Sequence, residues 1–178
     1  MNFKFLLIFV FFASGATLAR AQQTPAPVRQ MIGTWSVAER MWPGAGAAPM
    51  SLPPATAERH LAGDALLQEV MKSMPGAQPS FTRTAWLNYN AITHQYEYTS
   101  WDTRAPQIMA EKGTVLGSLD GGKFVAPQWG KMKNVAFRYR LEVGGIHNDR
   151  QIVRLFLTPE SGDAREFEAF EYVYTKVG

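Results

Sequence analysis

The chain has 178 residues, of which 46% are hydrophobic and 19% charged, and its formal net charge is +3. It contains no cysteine, which excludes disulfide bonds, thiolate metal sites and a cysteine nucleophile. The charge is small and no run of Lys and Arg is interleaved with aromatic residues, so the composition argues against a nucleic-acid partner.

The N-terminal segment, residues 1–21, has the pattern of a secretory signal peptide. Lys4 precedes an apolar run that begins at Phe5, and Ala19 and Ala21 flank Arg20 in the small-x-small pattern that signal peptidase reads. The run is shorter than the roughly 20 apolar residues of a membrane-spanning helix, so we expect cleavage after residue 21; the alternative is an uncleaved anchor. No second apolar run of that length follows. We therefore expect a periplasmic or secreted mature chain without a membrane span.

The rest of the chain is predicted to form one β-rich domain. Residues 22–30 are a short polar lead that contains proline, and we expect this lead to be flexible. Residues 31–178 consist of short apolar and polar segments separated by Gly, Pro and Asn, which is typical of an all-β fold. About ten short strands are predicted, at 33–41, 56–61, 66–71, 83–89, 95–102, 111–119, 123–126, 135–143, 151–158 and 166–176. Strands in hairpin order favour an antiparallel up-and-down β-barrel, because closure removes exposed strand edges.

Residue spacing leaves the segment at 66–71 open between strand and helix. The apolar residues from Leu66 to Met74 have helical spacing, and Asp64 could cap such a helix. A strand of this length would have the same composition, so spacing alone does not decide.

Two strands carry informative patterns. In 135–143 the odd positions are apolar, so Tyr139 is predicted to face the interior. In 166–176 the alternation slips, which a bulge near Ala169, or a strand covered on both faces at its end, would explain. Glu171 shares a face with apolar residues of this strand, and if it is buried it needs a partner such as Arg154.

Several short motifs, taken in order, resemble the DUF1579 family, small lipocalin-like proteins of unknown function. They are Gly33-Thr34-Trp35, the segment from His60 to Glu69, Leu87-Asn88-Tyr89-Asn90, Tyr96 and Trp101-Asp102. The resemblance covers roughly residues 31–174. It implies a lipocalin-like antiparallel barrel with a central cavity, and a strand rather than a helix at 66–71.

The Gly-x-Trp element has a structural implication of its own. In lipocalins this tryptophan closes one end of the barrel beneath a basic residue from the last strand. The resemblance therefore implies structural roles for Gly33, Trp35 and Lys176, with Lys176 over Trp35. The chain departs from lipocalins in lacking their disulfide. It also departs from fatty-acid-binding proteins, because the segment 172–174 reads Tyr-Val-Tyr where those proteins carry Arg-x-Tyr.

Candidate binding residues come from the aromatic side chains and one arginine. Ligand pockets are mostly apolar with a few placed polar groups. We therefore take Trp86, Tyr98 and Tyr139 as candidate cavity residues and Arg154 as a charged anchor. Ordinary core and rim packing is the alternative for each of them.

Metal, cofactor and catalytic motifs are not found in the sequence. His60, His94 and His147 are far apart and lack metal-ligand spacing, so we predict neither a metal nor a cofactor. No nucleophile motif occurs. An acid–base enzyme would need two carboxylates inside one cavity, whereas glutamates on strands usually point outward. The candidates on predicted strands are Glu39, Glu69, Glu111 and Glu171.

We therefore expect an exported β-barrel that binds a small hydrophobic or amphipathic molecule without covalent chemistry. The main alternative is a barrel filled with side chains that acts through its surface as a structural or interaction protein. The other alternative is an acid–base enzyme in the same cavity. No feature of the sequence specifies an oligomeric state.

Overall fold

The computed structural model describes residues 24–63, 65–111, 122–125, 130–132, 135–147, 149–160 and 165–178. The predicted signal peptide, residues 1–21, lies outside these residues. The described part contains one short helix and twelve strands. Their bounds are α1 Ala26–Gln30, β1 Gly33–Met41, β2 Met50–Ser51, β3 Ala55–Ala62, β4 Leu66–Ser73, β5 Thr82–Asn90, β6 Gln95–Asp102, β7 Ala105–Glu111, β8 Gly122–Val125, β9 Gly130–Met132, β10 Val135–His147, β11 Arg150–Pro159 and β12 Phe167–Lys176.

The strands form a single antiparallel sheet in the order β7-β6-β5-β4-β3-β1-β12-β11-β10-β8, with β2 paired to β1 and β9 to β10. Neighbours in the sheet are mostly neighbours in sequence, as in an up-and-down meander. Strands β7 and β9, near opposite ends of the order, approach within 8 Å between Cα atoms. The sheet therefore curls round an interior, and the predicted all-β, antiparallel barrel architecture is confirmed.

Most strands begin and end close to their predicted positions. The bounds of β1 and β6 match the prediction at 33–41 and 95–102. The ambiguous segment is a strand, β4, and its alternate residues Leu67, Glu69 and Met71 are buried. The strand implied by the family resemblance is thus confirmed at 66–71.

One strand of the structure, β7, was not predicted, and the strand predicted at 111–119 lies outside the described part of the chain except for Glu111. A tight turn precedes β7, because the Asp102 carboxylate accepts a hydrogen bond from the Arg104 backbone N–H at 2.8 Å. The chain therefore reverses directly after β6.

The predicted bulge in the last strand is present at Ala169. Leu155 pairs with Phe170 and Phe156 pairs with Glu168, so Ala169 is the extra residue in β12. The bulge explains why the alternation of apolar residues slips along this strand.

The lead at residues 22–30 was predicted to be flexible, but its described part contains a short helix that packs on the core. Residues 26–30 form α1, whose Val28 is buried, and the next residue, Met31, is buried as well. Both side chains belong to the main core, and the Met31 carbonyl accepts a hydrogen bond from Trp35 Nε1 at 2.9 Å. Apolar residues three positions apart lie on one face of a helical turn, which lets this segment pack against the barrel.

Among the described residues, no helix has the length and apolar character that crossing a bilayer requires.

Candidate functional site: the charged interior

A small cavity lies inside the curled sheet, with a volume of about 30 Å³. That volume has room for about two water-sized groups. Its apolar lining comes from Met31, Leu67, Ala85, Leu87, Leu141, Val143 and Val153. Its polar lining comes from Arg59, Glu69, Tyr98, Gln151 and Tyr174. The wall thus combines an apolar part with a concentrated polar part.

The polar part is organised around Glu69, whose carboxylate is shared by two arginines. Arg59 Nε donates to Glu69 Oε2 at 2.7 Å, and Arg83 Nη1 donates to Oε1 at 2.7 Å. The side chains are 2%, 7% and 8% exposed for Arg59, Glu69 and Arg83, so all three charges are removed from water. We call Arg59, Glu69 and Arg83 the shared-carboxylate cluster.

The sheet places this cluster because each of its residues lies on an inward-facing position. Arg59 in β3 pairs directly with Glu69 in β4. Arg83 in β5 pairs with Met71, two residues along β4 from Glu69 and therefore on the same face. Three adjacent strands thus direct one carboxylate and two guanidinium groups into the interior.

Hydrogen bonds extend the cluster to three more strands. Arg59 Nη1 donates to Gln151 Oε1 in β11, and Arg83 Nη2 donates to the Tyr98 hydroxyl in β6. The Tyr174 hydroxyl in β12 donates to Glu69 Oε1 at 3.3 Å. The network therefore links opposite sides of the barrel interior.

Aromatic rings contact both guanidinium groups, whose two positive charges the single carboxylate of Glu69 does not fully balance. The Arg59 guanidinium lies 4.0 Å from the ring centroid of Tyr174 and 5.2 Å from that of Trp35. Arg83 lies 5.6 Å from the ring centroid of Tyr172. Such cation–π contacts are worth about 2 kcal/mol or more when they are desolvated.

The two arginines keep Glu69 ionised. Burial pushes the pKa of Glu69 up, but the charges of Arg59 and Arg83 and the hydrogen bonds from Arg59 and Tyr174 more than offset it. The pKa of Glu69 therefore lies below its ordinary value.

A second buried glutamate, Glu39 in β1, has a different environment. Its residue is 2% exposed, and its Oε2 accepts a hydrogen bond from Arg104 Nη1 at 2.9 Å. Its Oε1 is buried and accepts no hydrogen bond from any of the described residues. Arg104 also donates to Asp102 through Nη2 at 2.7 Å. Burial raises the pKa of Glu39 in spite of the Arg104 charge and hydrogen bond, so this carboxyl is suited to hold a proton.

The predicted cavity residues fall into two groups. Tyr98 lines the cavity. Tyr139 is buried on the inward face of β10, but it belongs to a separate cluster with Leu157 and Ala169. Trp86 stands between Ala85 and Leu87, both of which line the cavity, so alternation places Trp86 on the outer face of β5. The prediction of Trp86 as a cavity residue is corrected accordingly.

Arg154 is also placed outside the barrel, which corrects its prediction as a cavity anchor. Along β11 the residues Gln151, Val153 and Leu157, which lie two or four positions apart, are buried. Arg154 lies on the opposite face of the strand, and its side chain is 39% exposed. Its Nε donates to Glu171 Oε2 at 3.0 Å, and Arg40 also binds that carboxylate. Buried Glu171 thus has the predicted partner, but the pair lies on the outer surface.

The two arginines of the shared-carboxylate cluster were missed, because Arg59 and Arg83 look like ordinary polar positions. Glu69 and Glu39 were considered only as possible acid–base carboxylates and not as binding residues. A signal exists, because Arg59 follows the small residues Ala55 and Ala57 at alternate positions. Small inward residues leave space for a long inward side chain.

The three residues with implied structural roles lie together. Lys176 pairs with Trp35, and its Nζ lies 5.5 Å from the centroid of the Trp35 ring, which is 1% exposed. Gly33 has a φ of +130°, and a Cβ there would lie 3.0 Å from Lys176 Cε. Gly33 thus allows Lys176 to lie over Trp35.

Within the part of the chain that the structure describes, no three His, Asp or Glu side chains are grouped so as to hold a metal ion. His60, His94 and His147 are all exposed.

Fold and interior together define a curled antiparallel sheet whose core contains a charged, hydrogen-bonded network beside a small cavity. The model of the DUF1579 family, described as a protein of unknown function, matches residues 21–176, and the chain belongs to this family. The predicted family is thus confirmed. No curated protein matches the chain.

Among solved structures, the chain is similar to the S-type phycobiliprotein lyase CPES from Guillardia theta. The identity is 6%, the match covers 85% of this chain and 90% of that chain, and the TM-score is 0.46. A similarity this distant supports no conclusion about function.

Two isosteric substitutions separate the roles of the buried glutamates. Glu69→Gln leaves Arg59 and Arg83 buried without an ionised partner, so we expect the free energy of unfolding to fall by about 3–5 kcal/mol at neutral pH. Glu39→Gln removes a charge that burial disfavours and leaves Arg104 bound to Asp102, so we expect a change below about 1 kcal/mol. Urea denaturation of both variants measures the difference, and equal losses would contradict these roles.

The stabilities of the same two variants should also depend differently on pH. The folded pKa of Glu69 is lowered, so its stabilisation is present above the unfolded value, near 4.5, and is lost as pH falls through the folded pKa. The folded pKa of Glu39 is raised, so its ionisation costs stability as pH rises from the unfolded value through the folded pKa. We therefore expect Glu69→Gln to lower the free energy of unfolding mainly at pH values above this acid range. Glu39→Gln should remove the decrease in the free energy of unfolding that the wild type shows as the pH rises.

Proposed function

We propose that the mature protein is an exported binding module that holds a small amphipathic molecule in the interior of its barrel. The single observation that carries the proposal is the composition of the cavity wall. Leu67, Leu87 and Leu141 supply apolar surface, while Arg59 and Gln151 supply charged and hydrogen-bonding groups at the same cavity. Ligand sites have this combination, because apolar walls provide affinity and a few placed polar groups fix orientation.

The arrangement suits a molecule with one polar end and one apolar end. The polar end would meet the shared-carboxylate cluster, which is held rigidly by Tyr98, Gln151 and Tyr174. The apolar end would contact the leucine and valine side chains of β4, β5, β10 and β11. A rigid polar site lowers the entropic cost of ordering side chains when the ligand binds.

A ligand larger than the cavity needs at least one lining residue to move. Met31 suits this role, because its unbranched thioether side chain adapts to irregular spaces. It lies directly after α1, outside the ladder of strand hydrogen bonds. We propose that displacement of Met31 enlarges the cavity without disturbing the charged cluster.

The small volume favours one competing function, a filled barrel that acts through its surface. The charged network bridges the interior, and the outer face carries Trp86 and the 37% exposed Trp101 on neighbouring strands. In that case the cluster is a structural device alone, and a partner protein would bind the outer face.

Export is part of the proposal and rests on the N-terminal apolar run and the Ala19-Arg20-Ala21 pattern. We expect the protein isolated from its host to begin at Gln22 and to be recovered from the periplasm or the medium. Intact mass spectrometry measures the first residue. A mature chain that retains residues 1–21 and stays with the cytoplasmic fraction would contradict export.

Ligand retention tests the binding proposal. Native mass spectrometry of the mature protein from its exported compartment is expected to show a mass above the denatured mass by that of a small organic molecule. Ala85→Leu adds bulk to the cavity wall, so we expect this variant to lose the bound molecule. Ala38→Leu adds the same bulk on the exposed face of β1 and is the matched control. Identical native and denatured masses for the wild type would favour the filled barrel.

A further inference from the structure

We infer that the ligand of the proposed cavity is an anion, and that it enters the barrel together with a proton on Glu39. The inference rests on the proposed function, since it names the chemical class of the molecule and the condition under which that molecule binds. Its basis is the distribution of charges in the interior.

Among the residues whose side chains are described, the interior contains two groups of charged side chains, one with an excess of positive charge and one with an excess of negative charge. The shared-carboxylate cluster has two arginines and one glutamate, an excess of one positive charge. Glu39, Arg104 and Asp102 form the second group, with an excess of one negative charge. We call this second group the rim group, since the Arg104 and Asp102 side chains are 23% and 17% exposed. With every member ionised, the two groups together are neutral.

The two groups are electrostatically coupled through Arg83 and Tyr172. Arg83 lies 5.6 Å from the centroid of the Tyr172 ring, and its charge acts on the Glu39 carboxyl. An added ligand charge would therefore upset a balance that extends across both groups. Burial of an uncompensated charge is costly, so a charged ligand requires a compensating change in the protein.

Glu39 is the group in which that change costs least. Within the described part of the chain, its Oε2 accepts one hydrogen bond, from Arg104, and its Oε1 accepts none. Both oxygens of Glu69, in contrast, are held by arginines. Protonation of Glu39 breaks one ion pair and leaves Arg104 bound to Asp102.

The charged and titratable groups that face Glu39 in the described residues come from three places. Arg104 and Asp102 lie at the turn between β6 and β7, Arg83 in β5, and Tyr172 in β12. The arginines stay charged, and burial raises the pKa of Tyr172 to about 12. Asp102 forms a bidentate contact with Arg104. Glu39 is the carboxyl of this set whose pKa burial raises, and the open valence of its Oε1 can carry the added proton.

A neutral Glu39 leaves the two groups together with one excess positive charge, carried by the shared-carboxylate cluster, of which Arg59 and Glu69 line the cavity. A carboxylate, sulfonate or phosphate group beside Arg59 restores the balance. An amine would add to the excess, and an alcohol would leave it unchanged. The site therefore selects an anion and binds about one proton with it.

Three probes with the same six-carbon chain test the charge selectivity, namely hexanesulfonate, hexanol and hexylamine. The sulfonate stays ionised throughout, so any pH dependence belongs to the protein. We expect hexanesulfonate to bind the mature wild-type protein at least about tenfold more tightly than the other two, which corresponds to about 1.4 kcal/mol. As the pH falls, the affinity for hexanesulfonate should rise, in total by about tenfold for each unit by which binding raises the pKa of Glu39.

Titration calorimetry in two buffers with different ionisation enthalpies counts the protons taken up with hexanesulfonate. Wild type should take up protons, whereas Glu39→Gln should bind without uptake and without pH dependence. Glu58→Gln removes a glutamate on the exposed face of β3 and should behave as wild type. If Glu39→Gln does not fold, the proton count on the wild type decides alone.

The outcomes separate this inference from the proposed function. Hexanol or hexylamine binding as tightly as hexanesulfonate, or sulfonate binding without proton uptake, would overturn the inference and leave the binding function standing. If none of the three probes binds and the exported protein carries no molecule of its own, the binding function fails with it.

Discussion

The interior of the protein depends on one carboxylate that two arginines share. A buried guanidinium is tolerated only with a counter-charge and hydrogen bonds, and Glu69 provides both for Arg59 and Arg83. Because these residues come from three adjacent strands, the sheet must keep its register for the contacts to form. The polar network in turn sets what the rest of the interior can contain, since apolar residues fill only the space that it leaves.

The shared-carboxylate cluster also contacts the buried ring of Trp35. Arg59 lies 5.2 Å from the ring centroid of Trp35, and Lys176 lies 5.5 Å from it. Trp35 Nε1 donates to the carbonyl of Met31, which itself lines the cavity. The short segment after α1 therefore contacts both the core and the wall of the cavity.

The sequence predicted the fold far better than the site, for physical reasons. Strand positions follow from alternation and turn residues, and even the bulge at Ala169 is visible as a slip in the pattern. Which face of a strand points inward is visible only where one face is clearly polar, as in β10. In β5 and β11 both faces carry large side chains, so Trp86 and Arg154 were assigned to the interior, although Arg83 in β5 and Gln151 in β11 are the ones that point there. Buried ion clusters reverse the rule that charge points to water.

The interior thus contains one carboxyl that two arginines hold in its ionised form, Glu69, and one whose protonated form burial favours, Glu39. Carbon-13 NMR of the protein, labelled at the glutamate side-chain carboxyl and titrated with acid, measures both groups directly. We expect Glu69 to titrate below the ordinary range for glutamate and Glu39 to titrate above it. If both carboxyls titrate together within the ordinary range, this distribution of charge in the interior is wrong.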